Sequence, residues 1–426
     1  MPKELLVLKI EKLVFGGQAL AHAPTGQVVF VWNALPGETV EVRLTKKQKT
    51  HWEGIATTII SPSPERTIPT EEHYLICSPW QIMSPETEQN WKMEMARETY
   101  YKIGNFDCTP DIAADDHEDG YRNKIEYSFT FDAEGKTCFA FFERGEHRYH
   151  ALTECRLSDP IINRVAKPLL DWINRHNIPM RSLRSLIIRS NSQGKAVAAL
   201  FIKDELTFPD FPTLSDELVG FQLYYSYYKT PAAVPTKLLY TIGDNALQTK
   251  LNDVSLKFGL LSFFQVHVPV FEEALRDMGQ FLDPHTEVVD FYGGVGSISL
   301  PLHHLTSGGV IVDNNAEAIA YANENIIANN IKKFTAECRP AEKITELITS
   351  DKTIILDPPR AGLHEDVTKT LIKQLPKTIL YLSCNLSTQA RDIAALLPYY
   401  DLVFSRLYNF FPRTPHVEGL IALKRK

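Results

Sequence analysis

From about Asn252 to the C-terminus, short β-branched apolar runs alternate with amphipathic stretches, and no other feature constrains the fold as much. Val288 to Phe291, Val310 to Val312, Thr353 to Leu356 and Thr378 to Leu382 read as strands. Helices are expected over Val270 to Leu282, over Ala316 to Asn329, and from a cap at Ser387 or Thr388 to about Leu397. Strand and helix in turn predict an α/β unit with a mostly parallel, doubly wound sheet. Asp401 to Tyr408 and Gly419 to Leu423 have no helix between them, so an antiparallel edge pair is expected. Open sheets of this kind bind ligands at the carboxyl ends of their strands. The residues at those ends are therefore the ones to read for chemistry.

Asp290-Phe291-Tyr292-Gly293-Gly294-Val295-Gly296 is a strand running into a glycine turn, where a ligand can approach the backbone closely. The nicotinamide fingerprint needs a third glycine, and Ser299 stands in its place. Asp313 closes the next strand, where an acid suits the two hydroxyl donors of a ribose. A nucleoside derivative is implied, with S-adenosylmethionine and NAD as contenders; the plainer reading of Asp313 is a helix N-cap. Asp357-Pro358-Pro359-Arg360 ends a further strand, and Pro358 forces Asp357 into extended geometry at the sheet edge. Cys384, in Ser383-Cys384-Asn385, sits where a parallel strand stops, a placement that suits a nucleophile. If the last strand runs antiparallel, Glu418 starts it on the same rim. A carboxylate there would raise the thiol pKa rather than activate it, but could take a separate proton.

The rest of the chain reads as two further units. Over residues 1–60, strands at Leu5 to Leu13, Gln27 to Trp32, Thr39 to Leu44 and Gly54 to Ile60, split by Gly and Pro turns, suggest a small closed OB-type barrel. Lys46, Lys47 and Lys49 beside His51 and Trp52 suit RNA, or simply a solvated hairpin tip. Ser61 to Arg66 reads as a linker. Residues 61–250 form a central α+β domain, with helices at Glu88 to Gly104 and Pro160 to Asn174, a loop at Asp107 to Gly120, and a strand at Phe221 to Tyr228 among others. Residues 251–426 are the alternating unit. The net charge of -7 argues mildly against nucleic acid, though local basic patches can coexist with it. Scattered cysteines without paired spacing point to free thiols in a reducing cytoplasm. Neither a signal peptide nor a membrane span is expected.

Taken together, Phe263-Phe264-Gln265-Val266, the Asp290 to Gly296 turn, Asp357-Pro358-Pro359-Arg360, Ser383-Cys384-Asn385 and His416-Val417-Glu418 resemble the RNA 5-methyluridine methyltransferase family. Gly16-Gly17 and Leu35-Pro36-Gly37-Glu38 resemble the TRAM domain of its ribosomal-RNA branch. The resemblance implies a Rossmann-like methyltransferase sheet using S-adenosylmethionine on C5 of a uridine in structured RNA, 23S ribosomal RNA favoured over transfer RNA. It implies Cys384 as nucleophile and Glu418 as base. Gln265, Tyr292, Gly294, Gly296, Asp313 and Asp357 would line the cofactor pocket. A monomer is expected.

Three departures stand out. Many members bind an iron–sulfur cluster through four cysteines, whereas here Cys77 and Cys155 alone fall at matching places and Trp80 occupies another. No cluster and no metal site are expected. Asp313 replaces the usual glutamate, and His267 stands where asparagine is frequent. Two other readings are an exocyclic-amine methyltransferase and a non-catalytic RNA-binding or ribosome-maturation factor. Arg360 in place of an aromatic after Pro-Pro argues against the first, and the paired Cys384 and Glu418 against the second.

Overall fold

The computed structural model describes residues 5–146, 148–227, 229 and 234–426. Residues 1–4 of the expected barrel unit, and Tyr228 of the expected strand, lie outside that range. Five strands, Leu5–Leu13, Ala19–His22, Val28–Trp32, Thr39–Lys47 and Trp52–Ser61, close into a barrel. Alternate residues such as Leu8, Ile10, Val29, Val31, Val40 and Val42 point inward and are fully buried. Ala19–His22 was not among the expected strands, because four residues are too few to show alternation. Trp80, Ile82, Met83 and Met95 pack onto the barrel core from the segment that follows it. The stretch expected as a linker is bolted down: Arg66 donates to both carboxylate oxygens of the buried Glu38, at 2.5 and 2.8 Å.

A seven-stranded sheet fills the middle of the chain, with helix Pro160–Arg175 against it. That helix buries Ile162, Val165, Leu169 and Trp172 on one side. The helix read at Glu88 to Gly104 runs over Pro85–Thr99 and ends in a wider turn, Tyr100–Gly104.

The C-terminal sheet holds the strand ends that matter. We number its strands β1 Glu287–Phe291, β2 Gly308–Asp313, β3 Phe334–Cys338, β4 Thr353–Leu356, β5 Thr378–Ser383, β6 Tyr400–Tyr408 and β7 Glu418–Arg425. Their spatial order is 3-2-1-4-5-7-6, and β1 to β5 pair in parallel. Between β1 and β4 the order reverses, which opens a crevice at their carboxyl ends. β7 runs antiparallel to both β5 and β6 and lies between them. The last two strands are thus an antiparallel pair, as expected, but not at the edge. Asp111–Ala113, inside the stretch read as a loop, pairs with β6 and takes the edge. Among the described residues no helix is long and apolar enough to cross a membrane.

Candidate active site

The turn after β1 is built from backbone that side chains resist. Tyr292, Gly294 and Gly296 all have positive φ, at 63°, 56° and 86°. A Cβ on Gly293 would lie 2.9 Å from the Asp290 carboxyl, so this turn packs directly over a buried acid. Above Gly294 nothing lies within 4 Å of where a Cβ would stand, so its outer face is free to meet a ligand. Asp313, at the end of β2, is oriented by two backbone donors: Gly294 N to Oδ2 at 3.0 Å and Asn315 N to Oδ1 at 2.8 Å. The helix cap is Asn315, whose Oδ1 accepts from Glu317 N and Ala318 N, so Asp313 is not spent as a cap. Each Asp313 oxygen keeps a lone pair for a hydroxyl donor.

Two carboxylates meet below and beside the turn. Asp290 is completely buried; its Oδ2 accepts from Ser299 N at 3.3 Å and its Oδ1 has no partner. Burial pushes Asp290 up to about 7. Asp357, just past β4, is also pushed up to about 7, first by desolvation and then by the charges of Asp290 and Asp313. Asp290 was not among the expected site residues. Its signal was an acid inside an otherwise apolar strand, Val288-Val289-Asp290-Phe291.

Cys384 and Glu418 come together because β5 and β7 are paired. Ser383 lies opposite Gly419, which sets the next residue of each strand, Cys384 and Glu418, side by side. Gly419 is needed there: a Cβ would stand 2.7 Å from Leu386 and 2.8 Å from the Tyr100 hydroxyl. Gln389 locks the pair of strands, donating to Tyr381 O at 2.9 Å and Gly419 O at 2.8 Å and accepting from Tyr100. The helix after Cys384 is Leu386–Leu396, capped by Asn385 rather than Ser387 or Thr388, since Asn385 Oδ1 accepts from Ser387 N. Asn385 Nδ2 and the Thr388 hydroxyl hold the Arg360 carbonyl, at 2.8 and 3.3 Å, which draws the Pro-Pro-Arg loop over the thiol. The Cys384 thiol is pushed up to about 11 by burial, then by Glu418 and Asp357, and is held down by the positive charge of Arg360. Glu418, 4% exposed, is raised well above the usual carboxylate range by burial and by Asp357, against the pull of Arg360. Asp357 therefore belongs to both groups and joins the Asp290–Asp313 side to the Cys384–Glu418 side.

Gln265 is placed from a different direction. Its buried main chain accepts from Asn123 Nδ2 at 2.9 Å, and the residues before it wrap around Arg189. The Arg189 guanidinium, 1% exposed, donates to the carbonyls of Gly259 (3.0 Å), Leu260 (3.3 Å), Ser262 and Phe264 (3.3 Å). Sequence reasoning missed this residue, although an arginine directly after the apolar run Leu186-Ile187-Ile188 was a visible anomaly. The loop before Glu418 is also fixed from afar. Lys92, fully buried, donates to Glu88 (2.6 Å), Asn409 Oδ1 (2.7 Å) and Phe411 O (3.2 Å), while Glu88 accepts from Arg413 N.

This arrangement matches known proteins. Residues 244–426 match the tRNA (Uracil-5-)-methyltransferase family and residues 3–56 match the TRAM domain. Over residues 244–426 the chain is thus similar to the RNA uracil-C5 methyltransferases. A Nitratidesulfovibrio vulgaris protein described as an uncharacterized RNA methyltransferase is 27% identical, over 99% of this chain and 96% of its own. One of the same description from Bacteroides thetaiotaomicron is 27% identical over 96% and 99%. A Pyrococcus abyssi tRNA (uracil-54, C5)-methyltransferase, solved with S-adenosyl-L-homocysteine, has the same fold, with a TM-score of 0.80 at 22% identity over 98% of this chain and 100% of its own. The enzyme is S-adenosylmethionine-dependent and acts on RNA. The cofactor fits what the residues offer: an open glycine turn beside an oriented carboxylate with lone pairs left for a ribose diol.

Proposed function

We propose that this enzyme methylates C5 of a uridine extruded from structured RNA through a covalent bond between Cys384 and C6 of the base. The observation that supports this most directly is the pairing of β5 with β7, which sets a nucleophile and a carboxyl group side by side on the rim that also carries Asp357. Uracil C5 is too electron-poor to accept a methyl group unaided. Addition of the Cys384 thiolate to C6 pushes the C5=C6 electron pair into an enolate through C4 to O4. S-adenosylmethionine supplies an electrophilic methyl carbon on its sulfonium. Once C5 carries the methyl, Glu418 takes the C5 proton and the returning electron pair expels Cys384 as thiolate. Arg360 stabilises the thiolate at the start and at the end of this cycle.

In this reading Tyr292, Gly294, Gly296 and Gln265 shape the cofactor pocket, Asp313 holds the ribose and Asp357 faces the reacting end. Asp290 keeps the glycine turn in place beneath it. The barrel, about residues 1–60, holds RNA, the middle unit, 61–250, supports the pocket, and 251–426 carries the chemistry. The barrel was the ground for favouring ribosomal RNA. The P. abyssi transfer-RNA enzyme matches over nearly the whole chain, so a barrel does not by itself choose between the two RNAs. We take 23S ribosomal RNA as the substrate to test first, with a monomeric enzyme working in the cytoplasm.

The deciding experiment uses RNA carrying 5-fluorouridine, which has no C5 proton to lose. Wild-type enzyme with S-adenosylmethionine is expected to form a stable protein–RNA adduct that maps to Cys384, and Cys384→Ala none. Full methylation by Cys384→Ala would overturn the mechanism. Parallel reactions on 23S ribosomal RNA and transfer RNA from a deletion strain decide the substrate.

A further inference from the structure

The fold gathers three soft ligand groups that are scattered in the sequence. One ring nitrogen of His73, Cys77 Sγ and Cys155 Sγ all lie within 4.8 Å of one another. Cys155 is 1% exposed, while Cys77 and His73 are partly buried at the same spot. The walls are apolar on one side, where Tyr121, Leu157, Phe141 and Val266 pack around Cys155 and Cys77. On the other side stands a buried carboxylate. Glu71 Oε1 is 3.2 Å from His73 Nε2, and Glu71 is itself fixed by Gln81 Nε2 at 2.7 Å and Arg156 N at 2.7 Å. His73 Nε2 is sealed from solvent yet makes no well-directed hydrogen bond.

A four-thiolate iron–sulfur cluster does not fit here. The site offers two sulfurs, and Trp80, soon after Cys77 in the chain, is fully buried with its Nε1 committed to Gly17 O at 3.2 Å. A single tetrahedral ion does fit. At a Zn–S distance of about 2.3 Å, two sulfurs of a tetrahedron stand about 3.8 Å apart, inside the spacing found. One imidazole and two thiolates are a donor set that selects Zn²⁺ over harder cations. Metal-bound imidazoles commonly have a carboxylate partner of the kind Glu71 provides.

We propose that His73, Cys77 and Cys155 bind one Zn²⁺ ion, with Glu71 holding the imidazole. The site's place in the chain gives it a structural role. It ties the segment just after the barrel to the stretch around Cys155, later in the same 61–250 unit. The same segment carries Trp80, whose N donates to Arg413 O at 3.0 Å in the loop leading to Glu418. The ion would thus brace the loop that positions Glu418 without touching the substrate.

The test uses the full-length protein, purified under a phosphine reductant, stripped with chelator and titrated with Co²⁺ and then Zn²⁺. One equivalent of Co²⁺ is expected to give the visible d–d bands of a tetrahedral site and a thiolate-to-cobalt charge-transfer band, both erased by one equivalent of Zn²⁺. Cys155→Ser and His73→Ala should each weaken Co²⁺ binding by at least a hundredfold. Glu71→Gln, which keeps all three donors, should keep the bands and lose on the order of 10–100-fold in affinity. A variant with Cys338→Ser and Cys384→Ser, the two remaining thiols at strand ends, should bind as the wild type does. The proposal fails if wild-type protein shows no tetrahedral bands, if the bands survive in Cys155→Ser, or if the purified protein carries iron with stoichiometric sulfide. A Cys77–Cys155 disulfide in the reduced preparation would also end it. Because the wild-type spectrum is itself decisive, a variant that fails to fold does not blunt the test.

Discussion

Replacing Arg360 by methionine isolates what activates Cys384. The positive charge of Arg360 opposes burial, Glu418 and Asp357, which leave the thiol pushed up to about 11. At that value about one molecule in 1,000 carries the thiolate at pH 8. An opposite charge beside a titrating group lowers its pKa by about 1–3 units. Arg360 is exposed, so the lower end applies, and about 1.4 kcal/mol is one pKa unit. The variant should therefore hold roughly a tenth as much thiolate at pH 8. Its backbone carbonyl, which Asn385 and Thr388 hold, is unchanged by the substitution. The assay is alkylation by iodoacetamide, followed peptide by peptide by mass spectrometry because the chain has other free cysteines. The Cys384 peptide of the variant should react about tenfold more slowly at pH 8, with its pH–rate curve moved up by about one unit. If Arg360→Met alkylates Cys384 at the wild-type rate while folded by circular dichroism, Arg360 does not stabilise the thiolate and the reasoning is wrong.

Three other outcomes are expected. Asp290 has a folded pKa of about 7, raised from 3.8, so its ionisation costs fold stability that is absent below about pH 4 and grows as pH rises toward 7. Asp290→Asn should thus gain in unfolding free energy relative to wild type between pH 5 and pH 8, by up to about 4 kcal/mol in urea unfolding; a pH-independent difference would contradict the burial argument. Gly294→Ala meets no protein atom within 4 Å and should cost only about 1 kcal/mol in stability for its positive φ, yet weaken S-adenosylmethionine binding more than tenfold by calorimetry. Unchanged affinity would place the cofactor elsewhere. Arg189→Met leaves the loop carbonyls from Gly259 to Phe264 without their donor and should destabilise by about 3–5 kcal/mol in urea unfolding, with Arg189→Lys a poor rescue because one ammonium cannot span the fork.

Much of this site was legible because its residues mark the ends of local elements. Asp313, Asp357 and Cys384 each follow an apolar run, and a run that stops in a polar residue before a helix leaves that residue on the carboxyl rim. β3 escaped notice for the converse reason. Phe334–Cys338 is an edge strand with one buried side chain, so it shows no apolar pattern. Asp111–Ala113 is only three residues long and owes its extended form to pairing with β6.

By itself the sequence determined the alternation of strand and helix, the closed barrel before it, and the side chains that stand at each parallel strand's end, because these follow from local periodicity and turn chemistry. The tertiary structure alone decided which of those ends share a charge environment. Inserting β7 between β5 and β6 is a long-range choice, and it set Glu418 beside Cys384. Burial and mutual repulsion, which no stretch of sequence displays, moved Asp290 and Asp357 to about 7 and Cys384 to about 11. The same packing of distant segments brought His73 within 4.8 Å of Cys77 and Cys155, a neighbour that the resemblance of the two cysteines to cluster ligands did not include.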